Sequence, residues 1–144
     1  MAEPVTLIDE GAPPLSSPRC RCADAAPVLR LFHHNIYEYG RGVRGLFLMT
    51  LSRQELELTL GKLERQGIHH FVQELNLVKV NLFFGRPAFV AVARAIVTRP
   101  LNALTPEEDF MLGTLLGYDR EQQCRRFLTR SGRGMPEELP LAAE

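Results

Sequence analysis

The chain has 144 residues, of which 17 are basic, 17 acidic and 45% apolar. A formal charge of zero argues against a strongly steered nucleic-acid binder, and no apolar run is long enough to cross a bilayer. Three cysteines, an odd number, argue against a disulfide scaffold, and the acidic start MAEPVTLIDE does not resemble a secretory signal, so a soluble, cytoplasmic protein is expected.

Residues 1–27 place Pro4, Pro13, Pro14 and Pro18 among Gly, Ser and Ala with little periodicity, which predicts a flexible arm. A single domain is expected over 28–130, with a second flexible tail over 131–144. Within the domain, VLRLFHH (28–34) alternates Val28, Arg30, Phe32 and His34 with Leu29, Leu31 and His33, which predicts a strand. Val43, Leu46, Phe47 and Leu51 are spaced as one helical face, so a helix near 43–50 is expected in preference to an extra strand, in spite of Gly40, Gly42 and Gly45.

The next segments carry sharper signals. Ser52 and Glu55 form a capping-box pair ahead of a Leu56, Leu60, Leu63 stripe, and Gly67 is a natural left-handed stop. IHHFVQEL and VKVNLFFG then read as two strands joined near Asn76 in an antiparallel hairpin. Pro87 opens a helix with Phe89, Val92, Ala93 and Ile96 as its expected buried stripe. Thr105, Pro106 and Glu108 start another helix that ends at Gly117. Asp119 caps the last helix, with Cys124, Phe127 and Leu128 expected inward.

The tally predicts an α/β protein of the α+β type, a small three-stranded, mainly antiparallel sheet packed with about five helices. Three strands leave two edges, which need covering by helices or by a twofold partner, so a homodimer is expected.

Few residues suggest chemistry. Gly40-Arg-Gly-Val-Arg-Gly45 fits the GxGxxG pattern, and Arg41, Gly42, Arg44 and Gly45 are its anion-site candidates. The pattern lacks the βαβ context that dinucleotide-binding loops require. The doublets His33-His34 and His69-His70 could supply one imidazole each, with Glu38 or Glu74, to a metal or acid/base site, provided that 28–34 pairs with 68–75. Cys20 and Cys22 form an isolated CxC, a weak metal signal beside the candidate metal ligands His34 and His69. Cys124 reads as core filling. The arginines of the last helix could meet an acidic partner or RNA, although no RNA-binding signature is present.

The run Phe32-His-His-Asn-Ile-Tyr-Glu-Tyr39 through Gly42-Val-Arg-Gly-Leu46, with LTPEEDF (104–110) and Gly117-Tyr-Asp119, resembles the small bacterial domain-of-unknown-function family numbered 2023. The resemblance covers residues 28–130. It implies three strands, five helices and a homodimer, with some members joined to or beside flavodoxin-like proteins, and it transfers no catalytic residue. It therefore points to a noncatalytic accessory or interaction domain, without a cofactor of its own, serving a flavodoxin-like redox partner. The alternative from the residues themselves is a small metal-dependent or histidine acid/base enzyme.

Overall fold

The computed structural model describes residues 18–134, with side chains from Pro27 onward; the arm residues 1–17 and tail residues 135–144 lie outside the described residues. Elements follow as α1 (Pro18–Gly40), β1 (Leu46–Ser52), α2 (Arg53–Gln66), β2 (His69–Glu74), β3 (Lys79–Gly85), α3 (Pro87–Ile96), a short 3-10 turn (Leu101–Ala103), α4 (Pro106–Leu115) and α5 (Arg120–Arg130). This is the expected α+β class with a three-stranded antiparallel sheet and five helices. The sheet order is β1-β3-β2, so the last strand made lies in the middle. Both outer strands run antiparallel to β3 and therefore parallel to one another, with α2 as the crossover.

Two sequence expectations are corrected. Residues 28–34 are helical, because Val28, Phe32, Ile36 and Tyr39 recur at helical spacing and turn one face onto the core. Over seven residues that stripe also satisfies an alternation, and the longer period wins. Conversely, 46–52 is a strand: Leu46, Phe47, Met49 and Leu51 are all buried, so both faces of β1 are covered and the alternation is hidden. The α1 helix begins at Pro18, inside the segment assigned to the arm.

The cap signals act as expected. Ser52 Oγ accepts from the Glu55 amide at 3.2 Å while Glu55 Oε2 accepts from the Ser52 amide at 3.0 Å. Thr105 accepts from the Glu108 amide, and Asp119 from that of Gln122. At Gly67 the backbone turns left-handed, φ 65°, and ends α2. Asn76 Oδ1 accepts from the amides of Val78 and Lys79, both at 2.8 Å, and so closes the β2–β3 turn.

Side chains alternate across the sheet into two cores. Phe47, Met49, Leu51, Val80, Leu82 and Phe84 meet Phe32 of α1 and Leu63 of α2. On the opposite face Leu46 and Phe83 meet Val90 and Ala93 of α3, and Leu104, Leu112 and Leu116. The α3 stripe is rotated from expectation: Val90 is buried and Val92 exposed. Nearly every residue of AFVAVARAIV is apolar, so its sequence marks no unique face. Helix α5 lies outside this layer, packed on α4 through Phe110 and Phe127, whose ring centroids are 5.7 Å apart. Cys124, expected inward, is exposed, since α5 packs mainly on α4 and lies outside the two cores.

Candidate interaction site

The two edges of the sheet are not alike. Along β1, Leu46, Phe47, Met49 and Leu51 are buried, enclosed by α1 and α2 on one face and by the α4 region on the other. Along β2 no residue is fully buried. Val72 is 37% exposed and Phe71 is half-buried, stacked on Phe83 of β3 at 4.6 Å between ring centroids.

A groove of about 600 Å³ follows this open edge, lined by Leu60 of α2, His70 to Gln73 of β2, and Arg94 and Val97 beside α3. The Leu75 amide donates to the Lys79 carbonyl. By the alternation of an antiparallel ladder, odd-numbered residues of β2 bond to β3, while His70, Val72 and Glu74 turn their backbone groups outward. Arg94 Nη2 donates to the outward His70 carbonyl at 3.2 Å, and its guanidinium lies over the Phe71 ring, 5.3 Å from the centroid. Gln73 is fixed from the other side. Thr50 Oγ donates to Asn81 Oδ1 (2.8 Å), Asn81 Nδ2 to Gln73 Oε1 (3.1 Å), and Gln73 Nε2 to the Arg99 carbonyl (2.9 Å). This polar row crosses all three strands and satisfies Asn81, which is only 1% exposed.

The histidine candidates occupy separate elements. His33 and His34 lie on the exposed side of α1, where His33 Nδ1 is 2.9 Å from Lys62 Nζ and His34 Nε2 is 3.3 Å from Glu38 Oε1. His69 and His70 open β2, and His70 Nδ1 donates to the Ile68 carbonyl at 3.0 Å. The pairing of 28–34 with 68–75 that would have joined the doublets does not occur, because β2 pairs with β3. Among the described residues, no hydrogen bond or ion pair links one doublet to the other, and no group of three His, Cys, Asp or Glu side chains could hold a metal. Cys20 and Cys22 fall in the first turns of α1, outside the described side chains.

The glycine-rich segment leads into a strand rather than a helix, so it offers no helix N-terminus to an anion. Its glycines answer to packing. The Phe89 ring occupies the place where a Cβ on Gly45 would sit, and Gly42 turns left-handed at φ 72°. Arg41 Nη1 donates to the Tyr37 hydroxyl at 2.9 Å. Arg44 is spent inside the fold: Nε donates to Glu38 Oε2 (3.0 Å), Nη2 to Asn35 Oδ1 (3.3 Å) and Nη1 to the Leu116 carbonyl (3.4 Å), and the guanidinium lies over Phe47.

Beyond the sheet, α4 and α5 are joined by Asp109, whose carboxylate meets Arg126 at 2.6 Å and Arg130 at 3.0 Å. Burial alone would raise the Asp109 carboxyl, but the hydrogen bond and charge of Arg126, helped by Arg130, outweigh it and hold the group below the usual carboxylate range. The pair raises Arg126 in turn.

The fold defines a small α+β protein in which a parallel strand pair is split by an inserted antiparallel strand, with most of β1 buried and no residue of β2 fully so. The chain belongs to DUF2023, a family described as proteins of unknown function, whose model matches residues 30–130. No curated protein matches the chain. No helix among the described residues is long and apolar enough to cross a membrane.

Proposed function

We propose that this chain is a noncatalytic, cytoplasmic accessory domain that works by protein interaction, and that β2 is its docking edge. The observation that carries this is that β2, none of whose residues is fully buried, turns the backbone groups of His70, Val72 and Glu74 outward along a groove bordered by Leu60, Phe71 and Val97. An unpaired strand beside apolar walls is suited to adding another strand, with main-chain hydrogen bonds for affinity and side-chain contacts for specificity. Homodimer formation and service to a flavodoxin-like redox protein are the two associations that this reading embraces. In the second, the flavin belongs to the partner.

The test is native mass measurement of the chain mixed with flavodoxin-like proteins from the same genome, repeated with Val72→Lys. A lysine at the centre of the edge leaves the ladder to β3 intact and opposes an added strand. Complexes lost in the variant, with an unchanged circular dichroism spectrum, support the reading. Complexes that survive it place the docking surface elsewhere. The competing reading, a metal-dependent or histidine acid/base enzyme, predicts stoichiometric metal or a histidine-dependent turnover in protein purified without a tag.

A further inference from the structure

We propose that the cleft between β1, α4 and α5 binds a small amphipathic carboxylate, an alkyl chain whose ionised head group meets Gln123 and Arg126. The site is lined from β1 rather than β2, and it stands apart from the reading of β2 as a docking edge.

The cleft follows from how one face of the sheet is covered. Helix α3 packs on β2 and β3, and on that face Leu48 of β1 is only half-buried whereas Leu46 is fully buried. The cleft that opens there has a volume of about 380 Å³, with Leu48, Leu104, Leu112 and Leu116 as apolar walls. Asn102, Tyr118, Gln123 and Arg126 bring N–H and O–H donors to the same space. Apolar walls with a few placed polar groups are how small-molecule sites are built. An eight-carbon carboxylate has about ten heavy atoms, and at roughly 30 Å³ each, the share of a water in the liquid, it fits.

Gly113 shapes the polar end. Glycine inside a helix is less favourable than alanine, yet α4 carries one here, buried. The Gln123 carboxamide, oxygen foremost, occupies the place where a Cβ on Gly113 would sit. The missing side chain therefore seats an amide at the cleft. Among the described residues, no protein group hydrogen-bonds the side chains of Asn102, Tyr118 or Gln123, so their donors face the cleft unspent. Asp109 supplies the lining's carboxylate, and it is already engaged by Arg126 Nε and Nη2 and by Arg130. Two guanidiniums against one carboxylate leave a positive charge at this joint, and Arg126 keeps Nη1 for a ligand. Open donors beside a surplus cation select an anionic head, and the leucines select an alkyl body.

The probe is octanoate, titrated into the full chain and followed by amide and methyl NMR. Saturable shifts are expected at the Gln123 side-chain amide, the Gly113 amide and the Leu48 and Leu112 methyls, with a Kd of about 0.1 mM. Octanamide, equal in length and uncharged, should bind roughly tenfold more weakly, because hydrogen bonds to an ionised head are the stronger ones. Gln123→Leu keeps the bulk, removes the amide and should weaken octanoate about tenfold. Gly113→Ala displaces the amide from its seat and should weaken octanoate to a similar degree, about tenfold, without lowering the melting temperature, since alanine favours the helix. Shifts that fail to saturate, or that scatter over the surface, overturn the site. Octanamide binding as tightly as octanoate overturns the anionic head. Unchanged octanoate affinity in either variant overturns Gln123 as the amide that the head group meets.

Discussion

Gly85 shows how much one missing methyl can decide. It ends β3 at φ 154°, and a Cβ there would strike the carbonyl oxygen of Gly45, just before the neighbouring strand. Gly45 has its own constraint, but what stands in its way is the ring of Phe89, a half-buried side chain rather than backbone. Backbone against backbone is the harder clash. Gly85→Ala should therefore cost about 3 kcal/mol and Gly45→Ala about 1–2 kcal/mol, from strain and overpacking. Urea midpoints at unchanged slope would check the order, and equal losses would mean that Phe89 cannot yield. Nothing in the sequence distinguishes these glycines from ordinary loop residues, because the atoms they avoid come from β1 and α3.

At the scale of the element, legibility follows locality. The Ser52–Glu55 box, the Gly67 stop and the Thr105 and Asp119 caps involve partners within four residues, so a sequence displays them whole. The α1 stripe needs twelve residues to separate its period from an alternation, and a seven-residue window of it reads as a strand. The β1 segment is enclosed on both faces by distant helices, which no local pattern reports. The β2 edge is hidden for a related reason: HHFVQE becomes an edge only because β3 inserts between the parallel strands. The joint between α4 and α5 is similarly nonlocal, since Asp109 and its arginines lie 17 and 21 positions apart. Its depressed carboxyl has a definite sign. The folded value lies below the ordinary 3.8, so the contribution is present at neutral pH and fades as pH falls through that value toward the folded one. Asp109→Asn should cost about 1–2 kcal/mol at pH 7 and flatten the acid limb of the stability profile. Thermal unfolding of both proteins from pH 7 to pH 3 would show the curves converging, and parallel curves would refute the assignment.

For the molecule as a whole, Arg44 joins what the sheet keeps apart. From the mouth of β1 it reaches Glu38 and Asn35 in α1 on one face and the Leu116 carbonyl after α4 on the other. That bridge ties both helical layers to the start of β1. Lysine cannot supply the fork that serves three acceptors in this fixed geometry. Arg44→Lys should lower stability by about 1–2 kcal/mol and speed hydrogen exchange of the β1 amides roughly tenfold. Unchanged exchange in β1 would mean that the helices cover that edge without help.

The inserted central strand also dictates an order of events during synthesis. Until the ribosome delivers the segment that begins at Lys79, the two flanking strands exist as sequence without the central strand that both bond in the folded protein. Translation past Gly85 supplies both seams together, so the nascent chain must hold its sticky outer ribbon out of trouble until the keystone arrives.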